Sequence, residues 1–130
     1  MHITEKEKAE LIKKISGVET KKCMKCGKCS ASCPSFDEME YPPHLFVSMV
    51  TNGDVDRLLA SSSIYKCLSC FACVERCPRT VEPANIVEAI RVMVLREADA
   101  THYTPETVAE QYDAEMPQQA IVSAFRKFRK

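Results

Sequence analysis

The sequence predicts a mostly helical fold, on three observations. Apolar residues recur at three- and four-residue spacing in several separate segments, residues that start and stop helices bracket those segments, and strand-like alternation is scarce along the whole 130 residues. Two cysteine-dense stretches, at 23–33 and 67–77, interrupt the helical segments and hold all eight cysteines of the chain.

The first helix is announced by Thr4 and Glu7, a capping box in which each side chain serves the other residue's backbone N–H. Lys8, Leu11, Ile12 and Ile15 then share one face, and Ser16-Gly17 supplies a stop. Between the cysteine stretches, Pro42-Pro43 opens a helix with Leu45, Phe46, Met49 and Val50 on its apolar face, closed by Asn52-Gly53. Asp54 is expected to cap a second short helix carrying Val55, Leu58 and Leu59. Pro83 starts a stronger helix to about Ala98, with Ile86, Ile90, Met93 and Glu97 at helical spacing and Val87 and Val94 widening the face. Thr104-Pro105-Glu106 reads as a further helix start. Pro117 opens a last helix that aligns Ile121, Ala124, Phe125 and Phe128 ahead of a basic tail. Two phenylalanines so near a chain end suggest docking, on a partner or against the domain's own core, because termini fray unless tied down. The chain thus reads as an N-terminal helix at 1–19, a central domain at 20–100 and a C-terminal helical segment at 101–130 that could dock on a partner.

Charge narrows the possible roles. Lysine plus arginine number 18, as do aspartate plus glutamate, and hydrophobic residues make up 45% of the chain. That balance argues against a general binder of nucleic acid or of membrane surfaces. No apolar run approaches the roughly 20 residues a membrane-spanning helix needs, and the N-terminal residues lack the layout of a signal peptide. A cytoplasmic location is expected, where thiols stay reduced and clustered cysteines are more often metal ligands than disulfides.

The two stretches, "CMKCGKCSASCP" and "CLSCFACVERCP", repeat one spacing: Cys, two residues, Cys, two, Cys, three, Cys-Pro. This is the bacterial ferredoxin signature for [4Fe–4S] clusters, and in two-cluster proteins its fourth cysteine ligates the opposite cluster. On that signature Cys23, Cys26, Cys29 and Cys77 are expected to hold one cluster, and Cys67, Cys70, Cys73 and Cys33 the other. Pro34 and Pro78 follow the crossing cysteines, and Gly27 offers close backbone approach where Phe71 holds the equivalent place. Zinc sites usually pair two C-x2-C knuckles across a longer loop, so a structural zinc module and a disulfide framework are the competing readings. Each cluster with four thiolates carries about −2, so two add about −4 to the balanced chain. Lys21, Lys22, Lys25 and Lys28 around the first motif, with Arg76 and Arg79 beside Cys77, would favour the reduced state; a solvated basic rim is the plainer reading. His2, His44 and His102 lie apart with no nucleophile motif near them and read as structural or surface residues. No phosphate loop and no flavin or nicotinamide fingerprint is present.

The doubled motif, its helical spacer, the stretch "YKCLSCFACVERCPR" and the ending "MPQQAIVSAFRKF" resemble an α-helical ferredoxin, and more closely the C subunit of heterodisulfide reductase. The resemblance covers roughly residues 20 to 128, and its C-terminal segment is what narrows it. It implies two [4Fe–4S] clusters and an electron relay inside a cytoplasmic complex. There a flavin-containing A subunit splits electron pairs by bifurcation, and the C subunit passes one stream to the B subunit. In methanogens that last member cleaves the mixed disulfide of coenzymes M and B. A larger assembly with hydrogenase or formate dehydrogenase is also implied. The reductase site of the B subunit depends on adjacent cysteines, and this sequence has none, so no substrate-converting site is expected here. The alternative is an iron–sulfur subunit of the succinate or glycerol-3-phosphate dehydrogenase kind, although the extra domains usual in those are absent from this sequence.

Overall fold

A computed structural model of the chain describes residues 3–95, 106, 110 and 113–126. It divides into two compact units, Met1–Arg96 and Glu97–Lys130. Among the described residues there are helices, turns and bends and no strand.

The first unit opens with α1, Glu5–Ser16. The capping box is formed: the Glu7 carboxylate accepts the Thr4 backbone N–H at 2.7 Å, and the Glu7 N–H donates to the Thr4 hydroxyl at 3.4 Å. Gly17 ends the helix at φ 69, a left-handed conformation that costs a residue with Cβ about 1 kcal/mol or more. Ala9 and Ile12 are buried, while Leu11 and Ile15 stay exposed at 37% and 42%, so the buried stripe is narrower than the one expected. The reason is tertiary. α1 reaches the core along a single ridge, and Leu11 and Ile15 sit off that line.

After a 3-10 turn at Thr20–Lys22 comes the four-residue helix α2, Lys28–Ala31, and a second 3-10 turn at Phe36–Glu38. Helix α3, Pro43–Asn52, has proline at its first position and buries Phe46, Val47, Met49 and Val50. Val47 takes the buried place expected of Leu45, which is half-buried. Its end corrects the expected cap of the following helix. Gly53 N–H donates to Val50 O and Asp54 N–H to Met49 O, so the Asp54 backbone belongs to the closing motif of α3. Helix α4, Asp56–Ala60, therefore starts later, with Val55 as its N-cap, and the Asp54 carboxylate pairs instead with Arg57 at 3.6 Å.

Helices α5, Ser63–Lys66, and α6, Ala72–Glu75, are one turn each; α5 leads into the second cysteine stretch and α6 lies within it. Helix α7, Pro83–Leu95, is the spine, packing against α1, α3, α4, α5 and α6. It sinks Ile86, Val87, Ala89 and Ile90 into a core shared with Ile12, Phe46, Val50, Leu58 and Ile64. Each of these large side chains contributes about 1.5–3 kcal/mol by leaving water. The expected continuation to Ala98 lies outside the described residues.

In the second unit, α8 spans Gln118–Arg126, and Pro117 accepts the first turn's N–H from Ala120 at 2.9 Å. Ile121 and Ala124 are half-buried, while Val122 and Phe125 are exposed. The expected start at Thr104-Pro105, and Phe128 with the rest of the basic tail, lie outside the described residues.

Candidate functional site

The two cysteine stretches fold into the same backbone twice. Cys23 and Cys67 each close a short helical turn in an extended conformation, at φ −64, ψ 121 and φ −64, ψ 123. Two residues on, Lys25 and Ser69 are both left-handed, at φ 56 and 52. Gly27 and Phe71 follow at φ 75 and 61, each as the N-cap of its one-turn helix. Cys29 and Cys73 then sit inside α2 and α6, and those two helices pack against each other. Spacing of two residues, twice, thus winds each loop so that three thiols turn toward one side. Among the protein atoms a Cβ on Gly27 would meet nothing within 4 Å, so it is the left-handed backbone that asks for glycine there. Phe71 adopts the same conformation at a cost of about 1–2 kcal/mol.

Two cavities lie against this pair of loops. One is lined by Cys23, Cys26, Cys29 and Cys77; the other by Cys67, Cys70, Cys73 and Cys33. Each therefore takes three cysteines from one stretch and the fourth from the other. Exposure follows the same order in both: Cys29 and Cys73 are buried at 8%, Cys26 and Cys70 are exposed, and the remaining four are half-buried. Backbone N–H groups point at two of the sulfurs, Lys25 at Cys23 Sγ (3.4 Å) and Val81 at Cys77 Sγ (3.3 Å). These donors turn the positive ends of their dipoles toward the two sulfurs.

Burial acts in the other direction. It raises the Cys29 and Cys33 thiols above their ordinary range and pushes Cys73 up to about 11. In a metal-free state these thiols keep their protons, and a metal must displace them. Among the described residues no three His, Cys, Asp or Glu side chains gather as the ligands of one ion would. Four thiols spread around a cavity suit a polynuclear cluster, in which each iron takes its own thiolate. The residues present fit the [4Fe–4S] group on that count.

The walls of the two cavities differ. Lys25, Arg79 and His44 join the cysteines of the first, with Met24 at its lip. The second is finished by Pro34, Met39, Leu68, Phe71, Pro83 and Val87, and no charged residue lines it.

Two residues at these sites have no signal in the sequence. His44 lines the first cavity, with its Nδ1 2.7 Å from Ser30 Oγ, and that hydroxyl accepts the His44 backbone N–H at 3.0 Å. Arg91, on α7, reaches back to the second cysteine loop: Nε donates to Ile64 O at 2.6 Å, Nη2 to Cys67 O, and Nη1 to Ser69 Oγ at 2.9 Å and to Glu88. Glu88 also accepts the Ser69 hydroxyl at 2.6 Å, and that bond, with Arg91 behind it, holds its carboxyl below the usual range. The only hint in the sequence is the three-residue spacing of Glu88 and Arg91, an ordinary surface pair on any helix. His2 and His102 lie outside the described residues.

Fold and site together define a helical iron–sulfur protein with two cluster sites. Residues 19–81 match the 4Fe-4S dicluster domain family, whose members carry two such clusters. The chain is similar to the C subunit of heterodisulfide reductase. It is 38% identical over 76 residues to the C subunit of the ferredoxin:CoB-CoM heterodisulfide reductase of Methanosarcina acetivorans, covering 58% of this chain and 30% of that one. Against the C subunit of the H(2):CoB-CoM heterodisulfide,ferredoxin reductase of Methanothermobacter thermautotrophicus, identity is 32% over 87 residues, covering 67% and 47%. A protein of Archaeoglobus profundus, named as like the C subunit of heterodisulfide reductase, is 32% identical over 94 residues, covering 72% and 50%. The chain thus spans half or less of the length of these relatives. Among the described residues no helix is long and apolar enough to cross a membrane.

Proposed function

We propose that this chain is an electron-transfer subunit in which Cys23, Cys26, Cys29 and Cys77 hold one [4Fe–4S] cluster and Cys67, Cys70, Cys73 and Cys33 the other. The observation that carries the reading is the lining of the two cavities, four thiols each, with Cys33 and Cys77 exchanged between the loops. When bound, such clusters supply one-electron redox centres. The protein's own part is to fix them and tune them. The α2–α6 contact keeps the two sites adjacent, and the spine α7 braces α6 from behind. Backbone N–H groups at Cys23 and Cys77, with Lys25 and Arg79 nearby, favour extra negative charge at the first site.

By its similarity to the C subunit, the chain would act in a cytoplasmic heterodisulfide reductase complex. It would relay electrons from a flavin-containing, bifurcating A subunit to a catalytic B subunit, with hydrogenase or formate dehydrogenase as further members. With all eight cysteines used as ligands, no coordination position stays open for a disulfide, so the isolated chain should pass electrons and convert no substrate. Anaerobic purification of the native complex, with its members identified, tests the partners. Selective ⁵⁷Fe labelling tests the ligands: Cys33→Ser should disturb the iron held with Cys67, Cys70 and Cys73 and spare the other site. Disturbance confined to the Cys23 site would refute the exchange.

A further inference from the structure

The repeat is symmetric in backbone and asymmetric in charge. In the first loop the two positions between successive cysteines hold Met24-Lys25 and Gly27-Lys28; in the second they hold Leu68-Ser69 and Phe71-Ala72. The exchange of the fourth cysteines adds to this. Arg79 belongs to the second motif, yet because Cys77 reaches the first cavity, Arg79 comes to line that cavity too, and its Nε donates to the Lys22 carbonyl at 3.3 Å. Lys22, Lys25, Lys28 and Arg79 are all exposed, and none of them takes part in an ion pair among the described residues. Lys21 is different, since it lies in the field of Glu10 on α1. The mouth of the second cavity instead shows Leu68, 68% exposed, and Phe71, 43% exposed.

Local charge compensation does not account for this pattern. Both clusters would carry the same charge, about −2, so a rim that only offset it should flank both cavities. Lys22 has a counterpart in Lys66 beside Cys67, and Arg91 at the second loop is paired with Glu88, but Lys25, Lys28 and Arg79 have no counterpart and no charged residue lines the second cavity.

We propose that the basic face at the first cavity, where Lys25, Arg79 and Met24 line the opening and the exposed Lys22 and Lys28 stand beside Cys23 and Cys29 in the chain, is a docking surface for an acidic redox protein. The inference rests on the electron-relay reading above. Two cations lining the opening and two beside its cysteines form a field that draws an acidic surface in and orients it, which raises encounter rates by about 10–1,000-fold and fades with salt. Met24, which lines the same cavity and is 61% exposed, offers an apolar contact there. In the docked pair one electron leaves the partner's reduced centre and enters the first site. The partner is oxidised and this chain reduced by one electron, with no bond made or broken.

The test uses the full chain with both clusters in place, under anaerobic stopped flow. The probes are a reduced acidic 2[4Fe–4S] ferredoxin and, separately, a reduced viologen, which is small and cationic. In the unaltered chain rising ionic strength should slow reduction by the ferredoxin, and the viologen serves as a donor that does not need the basic face. Lys22→Glu with Lys28→Glu, neither of which lines the cavity, should cut the ferredoxin rate at low salt at least tenfold and flatten its salt dependence, without slowing the viologen. Lys6→Glu with Lys14→Glu on α1 changes net charge equally, away from the cavity, and should leave the ferredoxin rate within about twofold. A ferredoxin rate that ignores salt in the unaltered chain, or that falls equally in both double variants, overturns the docking surface. Failure of the viologen to reduce the unaltered chain reversibly would overturn the relay reading, and the docking surface with it.

Discussion

Arg91 is the residue whose removal should separate the two cluster sites most cleanly. Its side chain is 18% exposed and its guanidinium bonds the carbonyls of Ile64 and Cys67 and the hydroxyl of Ser69, which together span the entry to the second cysteine loop. Arg91→Met keeps most of the packing and deletes every one of these bonds. A buried acceptor left without its donor costs about 1–3 kcal/mol, and the two carbonyls share one loop, so their losses will not add fully. We take about 3 kcal/mol for local opening of that loop. The Glu88–Ser69 bond survives and tempers the effect. At about 1.36 kcal/mol per decade, roughly 3 kcal/mol is about 100-fold in the open population. With excess iron chelator under anaerobic conditions, and ⁵⁷Fe placed in one site at a time, iron should leave the Cys67 site about 100-fold faster and the Cys23 site at nearly its original rate. Arg91→Lys keeps the charge and fewer bonds, and should fall between. Equal acceleration at both sites would mean that Arg91 supports the domain as a whole. No acceleration at either would mean that the loop does not depend on it.

Cluster assembly should release protons, because burial holds Cys29, Cys33 and Cys73 in the thiol form; resistance to a chelator with pH-independent affinity should therefore rise from about pH 7 to 9, and a flat profile would refute this. In the metal-free chain the sign reverses. The neutral Cys73 thiol supports the fold fully below its ordinary value of 9.0, and that support fades as pH climbs through about 11, so the melting midpoint should drop over that window. Gly27→Ala meets no protein atom within 4 Å but forces φ 75 on a residue with Cβ, and should cost about 1–2 kcal/mol, read as roughly tenfold faster chelation at the Cys23 site. Gly27→Asn, which tolerates that backbone, should cost less; an Ala variant as robust as the parent would refute the conformational argument.

Much of this protein is decided by short stretches of chain, and those parts are legible in the sequence. A capping box, a proline at a helix start and a glycine at a helix end act through bonds spanning four or five residues, so α1, α3 and the start of α7 can be read without knowing their neighbours. Cysteine spacing is local in the same way, because the same interval winds each loop into the same backbone and turns three thiols to one side. Where two local signals compete, reading by sequence fails: Asp54 looks like a cap for α4, but its backbone is already committed to the end of α3. Which face of α1 is buried depends on the ridge it presents to α3 and α7, and periodicity alone cannot choose between Ala9 and Leu11. Arg91 and His44 are further cases. Arg91 acts on carbonyls and a hydroxyl 22 to 27 positions away in the chain, at a place where an arginine on a helix carries no special mark. The charge asymmetry is the deepest instance. Lys25 and Lys28 already set the first motif apart in the sequence, but Arg79 follows the second motif and reaches the first cavity only when the chain folds and Cys77 crosses to it. Spacing set the kind of site, and packing completed the difference between the two, because Arg79 and the lysines it joins come from different motifs.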